Sequence, residues 1–503
     1  MRHTLNLPEP KLHYRLSEST DLYVVQGDIV DLPVDILVSP DDTRLSMGGG
    51  ASRRIFERGG SQVLQRTSLR SGVTLEVAGS AGLGEVFESE PGRLDVRAVF
   101  HTAVVDWEKD LLPTTETIRA VTYECICRAR ERSHNAHGPL AHESIAFPLM
   151  GSGAGGLAEP DSLAGILGAA VDASAVPEPV SIVVCLPPWR PPPDKWRITL
   201  EALLTTMRGT GLSEALGDDV AVSPAPKASD EITDAERLVR WLPAPVAVPM
   251  FSALQGVGGW ERFSNALQTA EALVRFLACC SVATDLPDRR GERINAGAMI
   301  LGRGPTLGVW VGILRENIRK LRHFDPALVD PLVDWNGKRP ALGRYLFEQL
   351  PPIRNKYVHG STPPDDAFLD LLPTVLEPLS QLAHSFASLT SYRLVAPVRF
   401  DWGEGDIVRY VFRTLQGPFA VFPTSIGEAT QRLYTKHVYL GNPGKELESS
   451  PWLELDPLVL FAVCPTCQRD DVFFYDQSSG EGLEYRSFVS GHTKLVKSTT
   501  TAF

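Results

Sequence analysis

Four short apolar runs constrain the fold of this chain more than any other feature: "DILVSP" (35–40), "VRAVFHTAVV" (96–105), "SIAFPLM" (144–150) and "VSIVVCLP" (180–187). Each has the length of a strand, and helical stretches such as "TETIRAVTYECICRARERS" lie between them. Strands interleaved with helices pack as an α/β layered domain around a largely parallel or mixed sheet.

The texture then changes twice. Residues 206–234, including "GTGLSEALGDDVAVSPAPKASDEITD", are rich in Gly, Ser, Pro and Asp, offer little to bury, and read as a linker. Over 235–392 the pattern is helical, with "FSNALQTAEALVRFLACCSVA" and "PDDAFLDLLPTVLEPLSQLAHSFASL" as amphipathic segments. Over 393–503, short runs such as "IVRYVFRTL", "FAVFPT", "KHVYL", "LVLFAVC" and "DVFFYD" read as strands between turns. The 503 residues therefore divide into a three-layer α/β domain over 1–205, an all-α bundle over 235–392 and a small mainly β domain over 393–503.

Charge and cysteine usage narrow the class. A net charge of −12 argues against a general polyanion-binding surface, so any nucleic-acid contact is confined to one face. "MRHTLNLPEPKLHYRL" carries no apolar signal-peptide core, and "AGAMILGRGPTLGVWVGIL" is interrupted by Arg303 and Pro305. Seven cysteines, an odd number without framework spacing, fit reduced thiols. The expectation is a cytoplasmic chain with no membrane partner.

Two glycine loops follow apolar runs and face the same possibility. Gly48, Gly49 and Gly50 precede the helical segment "ASRRIFERGG", where unpaired N–H groups and the helix dipole favour an anion. In "FPLMGSGAGGLAEP", Gly151, Gly153, Gly155 and Gly156 follow the run 144–150. Ligands of open α/β sheets bind outside the carboxyl ends of the strands, so both loops are candidates for one phosphate site. Either loop alone reads as a tight turn; together they read as a cradle.

In order and spacing, "GDIVD", "DILVSPDD", "MGGGASRRIFERGG", "VFHTAVVDW" and "SIAFPLMGSGAGG" resemble the macrodomain family, which binds ADP-ribose and related nucleotides. The resemblance covers about 20–195. It implies that Asp28, with Ile29 beside it, accepts a hydrogen bond from the adenine amino group. It also implies that Gly48, Gly49, Gly50 and Ala51, with Gly151, Ser152, Gly153, Ala154, Gly155 and Gly156, wrap the diphosphate and distal ribose. Two departures stand out. Members that hydrolyse ADP-ribose linkages usually carry an "NAAN"-like segment, where this chain has Ser39, Pro40, Asp41 and Asp42. Asp42 accepts ribose hydrogen bonds but as a carboxylate donates none. The aromatic residue often found in the second loop corresponds to Gly155. Both departures favour binding over hydrolysis, and no cofactor is required beyond the nucleotide as ligand.

A second signal is "LPPIRNKYVHGS", in which Arg354 and His359 lie five apart with Asn355 after the arginine. In its helical setting this R-x-x-x-x-H segment resembles the HEPN family, whose members form a metal-independent ribonuclease site, typically completed across a homodimer. RNA carries its own 2′-hydroxyl nucleophile, so the chemistry needs proton transfer and phosphoryl stabilisation. His359 suits the first, Arg354 the second, and Asn355 a positioning role. Nearby Arg315, Arg319, Lys320 and Arg322 form the best local basic patch, with a solvated helix face as the equal alternative.

Cys464 and Cys467 in "VCPTCQRDD" have the spacing of half a zinc ribbon, and His437 or His492 stand as further donors at irregular spacing. No second CxxC exists, so thiols at a β-turn are expected and no metal. The combined expectation is a nucleotide sensor that regulates a HEPN-like endoribonuclease in bacterial stress or anti-phage defence. The alternatives are an ADP-ribosyl hydrolase, or an ADP-ribose-binding adaptor with an inactive HEPN-like dimerisation domain.

Overall fold

A computed structural model describes residues 5–65, 81–137, 142–208 (except 175 and 177), 239–255, 259–286, 306–333, 341–358, 368, 371–379, 392–402, 408–429 (except 421), 431–441 and 452–497 (except 480). The expected linker falls almost wholly outside these residues. The chain divides into two compact units, 1–228 with 423–425, and 229–422 with 426–503.

The first unit is built on a seven-stranded sheet. Its strands are β1 (Lys11–Arg15), β2 (Thr20–Gln26), β3 (Ile36–Asp42), β4 (Val86–Ser89), β5 (Ala98–Val105), β6 (Glu143–Pro148) and β7 (Val180–Leu186). Their order across the sheet is β1-β2-β7-β6-β3-β5-β4. The five inner strands are parallel, while β1 and β4 join antiparallel at the two edges. Every residue of β5, β6 and β7 is buried. That is why these runs are continuously apolar: strands covered on both faces have no polar side to show.

Among the described residues, the helices that cover the sheet are α1 (Gly50–Gly59), α2 (Gln62–Gln65), α3 (Thr115–His137), α4 (Glu159–Ala173) and α5 (Pro193–Arg208). Gly165 sets the approach of α4 to α3, since a Cβ there would lie 2.8 Å from the Thr115 carbonyl oxygen and 2.9 Å from Ile118 Cβ. Arg119 on α3 then grips Asp172 on α4 through two hydrogen bonds of 2.6 and 2.8 Å. Buried Arg130 on α3 donates to the carbonyls of Ala173 and Glu178 and to Thr20 Oγ1, tying both helices to the start of β2.

The expected helical and β segments both lie in the second unit. Its helices include α6 (Ala244–Gln255), α7 (Gly259–Ala283) and α8 (Leu307–Phe324). Further on, α9 (Ala341–Arg344), a π-helical turn (Tyr345–Gln349) and α10 (Leu350–Val358) follow without a break. α7 is long and apolar enough to cross a membrane, yet the relevant stretch is 94% buried inside the protein, as a core helix would be. The β segment forms a five-stranded sheet and a four-stranded antiparallel sheet. The latter comprises β8 (Val459–Val463), β9 (Asp470–Ser479), β10 (Gly482–Arg486) and β11 (Thr493–Lys497). Helix and sheet meet at Arg275 of α7, whose guanidinium pairs with Glu271 and with Asp476 on β9.

Candidate functional site

Five parallel strands aligned in one sheet bring their carboxyl ends to one edge, and the loops that leave them enclose a cavity of about 610 Å³. Gly27 and Asp28 follow β2, Pro40 to Asp42 end β3, Val105 and Trp107 leave β5, Leu149 to Gly155 leave β6, and Pro187 to Arg190 leave β7. Of the residues expected at a nucleotide site, the cavity wall gathers all but Gly156.

The first glycine loop ends at Gly50, whose φ of +55° lies in the left-handed region, and runs straight into α1. At Gly48 the nearest atom to an added Cβ is Ser46 Oγ at 3.4 Å, while Gly49 and Gly50 have nothing within 4 Å. The loop therefore presents bare backbone at a helix N-terminus, the arrangement that suits a phosphate. The second loop turns at Gly151, with φ +76°. A Cβ at Gly155 would meet Pro113 Cγ at 2.7 Å and the Gly151 carbonyl oxygen at 2.8 Å. Pro113 thus explains why position 155 has no side chain. The aromatic surfaces of this cavity come instead from Trp107 and Trp189, which are 51% and 79% exposed.

The carboxylates are already engaged. Asp28 caps a short 3₁₀ turn (Ile29–Asp31) by accepting from Val30 N, and its Oδ2 accepts from Arg54 Nε at 2.7 Å. Asp42 accepts from Arg44 N at 2.8 Å and Ser46 N at 3.2 Å, shaping the turn after β3. Asp41, to which the sequence reading gave no role of its own, is buried, and both its oxygens accept from Met47 N. Burial pushes its pKa up to about 7, against the opposing effect of the Met47 and Asp42 amides. Cys185, also in the wall, donates to the Gly27 carbonyl at 3.5 Å, and burial raises its pKa to about 12, so it stays a thiol.

Arg54, Trp107, Trp189, Asp41 and the ion-paired Glu159 and Arg190 line the cavity without having been singled out from the sequence. Little in the sequence could have found them. Arg54 is one of several arginines on an exposed helix, and both tryptophans lie in loops whose direction only the fold sets.

The segment proposed for RNA chemistry lies in the second unit. Arg354 and Asn355 sit on α10, Asn355 exposed, while His359 falls outside the described residues. Arg354 Nε donates to Glu271 Oε2 at 2.9 Å, and the same carboxyl accepts from Arg275 at 3.0 Å. The neighbouring basic patch is also engaged: Arg315 donates to the Phe347 carbonyl, Lys320 pairs with Asp285 and Arg322 with Asp330.

Comparison with known proteins places the cavity in context. The family model of the Macro domain matches residues 38–164. A protein of Aeropyrum pernix, itself named as uncharacterized, is 27% identical over 136 residues, 27% of this chain and 63% of the relative. The O-acetyl-ADP-ribose deacetylase of Salmonella typhimurium is 29% identical over 132 residues, 26% of this chain and 67% of the relative. The match thus spans 63% of the first of these relatives and 67% of the second, and only 37% of an uncharacterized protein of Mycobacterium bovis that is 28% identical over 150 residues. The Oceanobacillus iheyensis macrodomain solved with ADP is 17% identical and aligns over 39% of this chain and 95% of its own, with a TM-score of 0.30. Residues 38–164, the stretch that matches the Macro domain model, carry β5, β6 and both glycine loops.

Proposed function

We propose that the cavity of the first unit binds ADP-ribose or a closely related ADP-containing nucleotide, and that the chain uses it to bind rather than to hydrolyse. The observation that carries this reading is the meeting of the two bare glycine loops in one cavity at the carboxyl ends of the parallel strands. In it Asp28 takes the adenine amino group, Gly48 to Ala51 and Gly151 to Gly155 take the diphosphate and distal ribose, and the exposed tryptophans supply stacking surface. Binding is preferred because the carboxylates nearest the distal end are committed to backbone amides. Asp41 holds Met47 and Asp42 holds Arg44 and Ser46, so neither is poised to activate water.

Titration calorimetry with ADP-ribose, beside a turnover assay on O-acetyl-ADP-ribose, tests this. Saturable binding at one site per chain without turnover is expected. Turnover lost in Asp41→Asn or Asp42→Asn would favour the hydrolase instead.

A second reading, regulation of a HEPN-like metal-independent endoribonuclease in a cytoplasmic homodimer, keeps one observation in its favour. Asn355 is exposed beside an arginine whose orientation Glu271 fixes. Incubating the chain with total RNA without metal, with and without ADP-ribose, tests it. Cleavage lost in Asn355→Ala and His359→Ala would support it, and intact RNA throughout leaves the binder alone. In this reading the setting is bacterial stress or anti-phage defence.

A further inference from the structure

The turn between β8 and β9 carries Cys464 and Cys467, and the turn between β10 and β11 carries His492. The three residues are separated in sequence but converge: one ligand atom from each lies within 4.8 Å of the other two. Cys464 Sγ is 3.3 Å from His492 Nδ1. A tetrahedral zinc ion with bonds of about 2.3 Å to sulfur and about 2.0 Å to nitrogen holds those atoms about 3.5 Å apart, close to the observed spacing.

One backbone amide is directed at a cysteine sulfur, and two more hold the turn that carries it. Thr466 N points at Cys464 Sγ at 3.4 Å, Gln468 N donates to the Cys464 carbonyl at 3.0 Å, and Cys464 N to the Arg469 carbonyl at 2.7 Å. Gln468 closes this turn in the left-handed region, with φ +59°, a conformation uncommon for a non-glycine residue. The histidine side is held as firmly. Buried Asp471 accepts from Ser487 Oγ and Ser490 Oγ, Ser490 Oγ in turn accepts from His492 N, and Ser487 N donates to the His492 carbonyl. Ordered partners behind a ligand-bearing turn fix donors before a metal arrives.

We propose that Cys464, Cys467 and His492 bind one zinc ion that clips the β8–β9 turn to the β10–β11 turn. The thiolates and an imidazole nitrogen supply three of its four bonds, and a water supplies the fourth. Two thiols and a neutral imidazole give up two protons on binding Zn²⁺, so the site keeps no net charge, which suits the buried Cys464. Soft sulfur with one imidazole selects zinc over calcium or magnesium, which prefer oxygen. The proposal is independent of what the first unit binds.

The test uses the full chain purified under reductant, loaded with zinc chloride, desalted and analysed by elemental mass spectrometry. About one zinc per chain is expected, falling at least about tenfold in Cys467→Ser and His492→Ala. The partly exposed positions of these two residues make misfolding less of a concern than at Cys464. Cobalt loading of the unmodified chain gives a readout that needs no variant: an intense thiolate-to-cobalt absorption in the near ultraviolet, lost on adding zinc. Retention below about a tenth of an equivalent by the unmodified chain, or equal zinc in folded variants, would overturn the proposal.

Discussion

Arg54 Nε lies 2.7 Å from Asp28 Oδ2, so the carboxylate proposed to receive an adenine amino group already holds a cation within the same cavity. The arginine side chain is half exposed, and solvent screens an ion pair of this kind, so it contributes little. A ligand can therefore displace it cheaply.

Asp28→Ala should weaken ADP-ribose binding by about tenfold and erase preference for adenine over hypoxanthine nucleotides, since a hydrogen bond to a charged acceptor is lost. Arg54→Ala should change affinity by less than about threefold. Calorimetry with ADP-ribose and its inosine counterpart separates the two, and equal losses in both variants would count against Asp28 as the base contact.

The two loops predict opposite consequences for added bulk. Gly49 has extended backbone (φ −155°) and nothing within 4 Å of a built Cβ, so Gly49→Val should lower Tm only by the few degrees that a poorer helix N-cap costs, while costing at least about tenfold in nucleotide affinity. Gly155→Ala must displace Pro113 or the Gly151 carbonyl, so it should lower Tm by several degrees, on the order of 1–3 kcal/mol. A Gly49→Val protein that binds normally would move the diphosphate elsewhere.

Trp189 is the most exposed large apolar side chain in the cavity wall. If it stacks on the nucleotide, Trp189→Ala should cost about 1–2 kcal/mol of binding without touching stability. Tryptophan quenching on ADP-ribose addition, reduced in this variant, is the quickest check.

Asp41 makes stability depend on pH in a direction that can be assigned. Its pKa rises from 3.8 to about 7 on folding because the carboxyl is buried. The folded protein thus holds the proton more tightly than the unfolded chain. Below about pH 4 both states are protonated and nothing is lost; from about 4 to 7 the unfolded chain ionises first and stability falls; above 7 the full cost stands. Asn in its place still accepts from Met47 N but never ionises. The Tm of Asp41→Asn minus that of the parent should therefore grow across this range, and a flat difference would sink the assignment.

Glu271 holds two guanidinium groups in the second unit, Arg275 and Arg354. Glu271→Ala leaves both without it and should cost about 3–5 kcal/mol, whereas Arg354→Ala leaves Glu271 its other partner and should cost clearly less. Chemical denaturation followed by the fluorescence of buried Trp310, which lies against Arg275, reports the difference.

What was legible in the chain follows from range. The buried runs of β3, β5, β6 and β7 and the loops after them are local patterns, and they foretold the sheet and the walls of its cavity. Arg54 meets Asp28 across 26 residues and Arg354 meets Glu271 across 83, and no local pattern encodes such pairings. His492 reaches Cys464 across 28 residues because two β-turns happen to face each other, which its irregular spacing concealed. The absent aromatic at 155 was visible in the sequence, but its cause, Pro113, required the packing.

The placement of β7 between β2 and β6 bears on how the protein is made. β2 emerges from the ribosome early, with Thr20 destined to pair beside Val180, and must wait for the last strand of its sheet to be translated. Until then the hairpin of β1 and β2 and the growing edge at β6 both carry open backbone, the kind of edge that invites wrong pairing. A fragment trimmed to 38–164 would lack β1, β2 and β7 together, and would leave β6 bare along one side with no partner still to come.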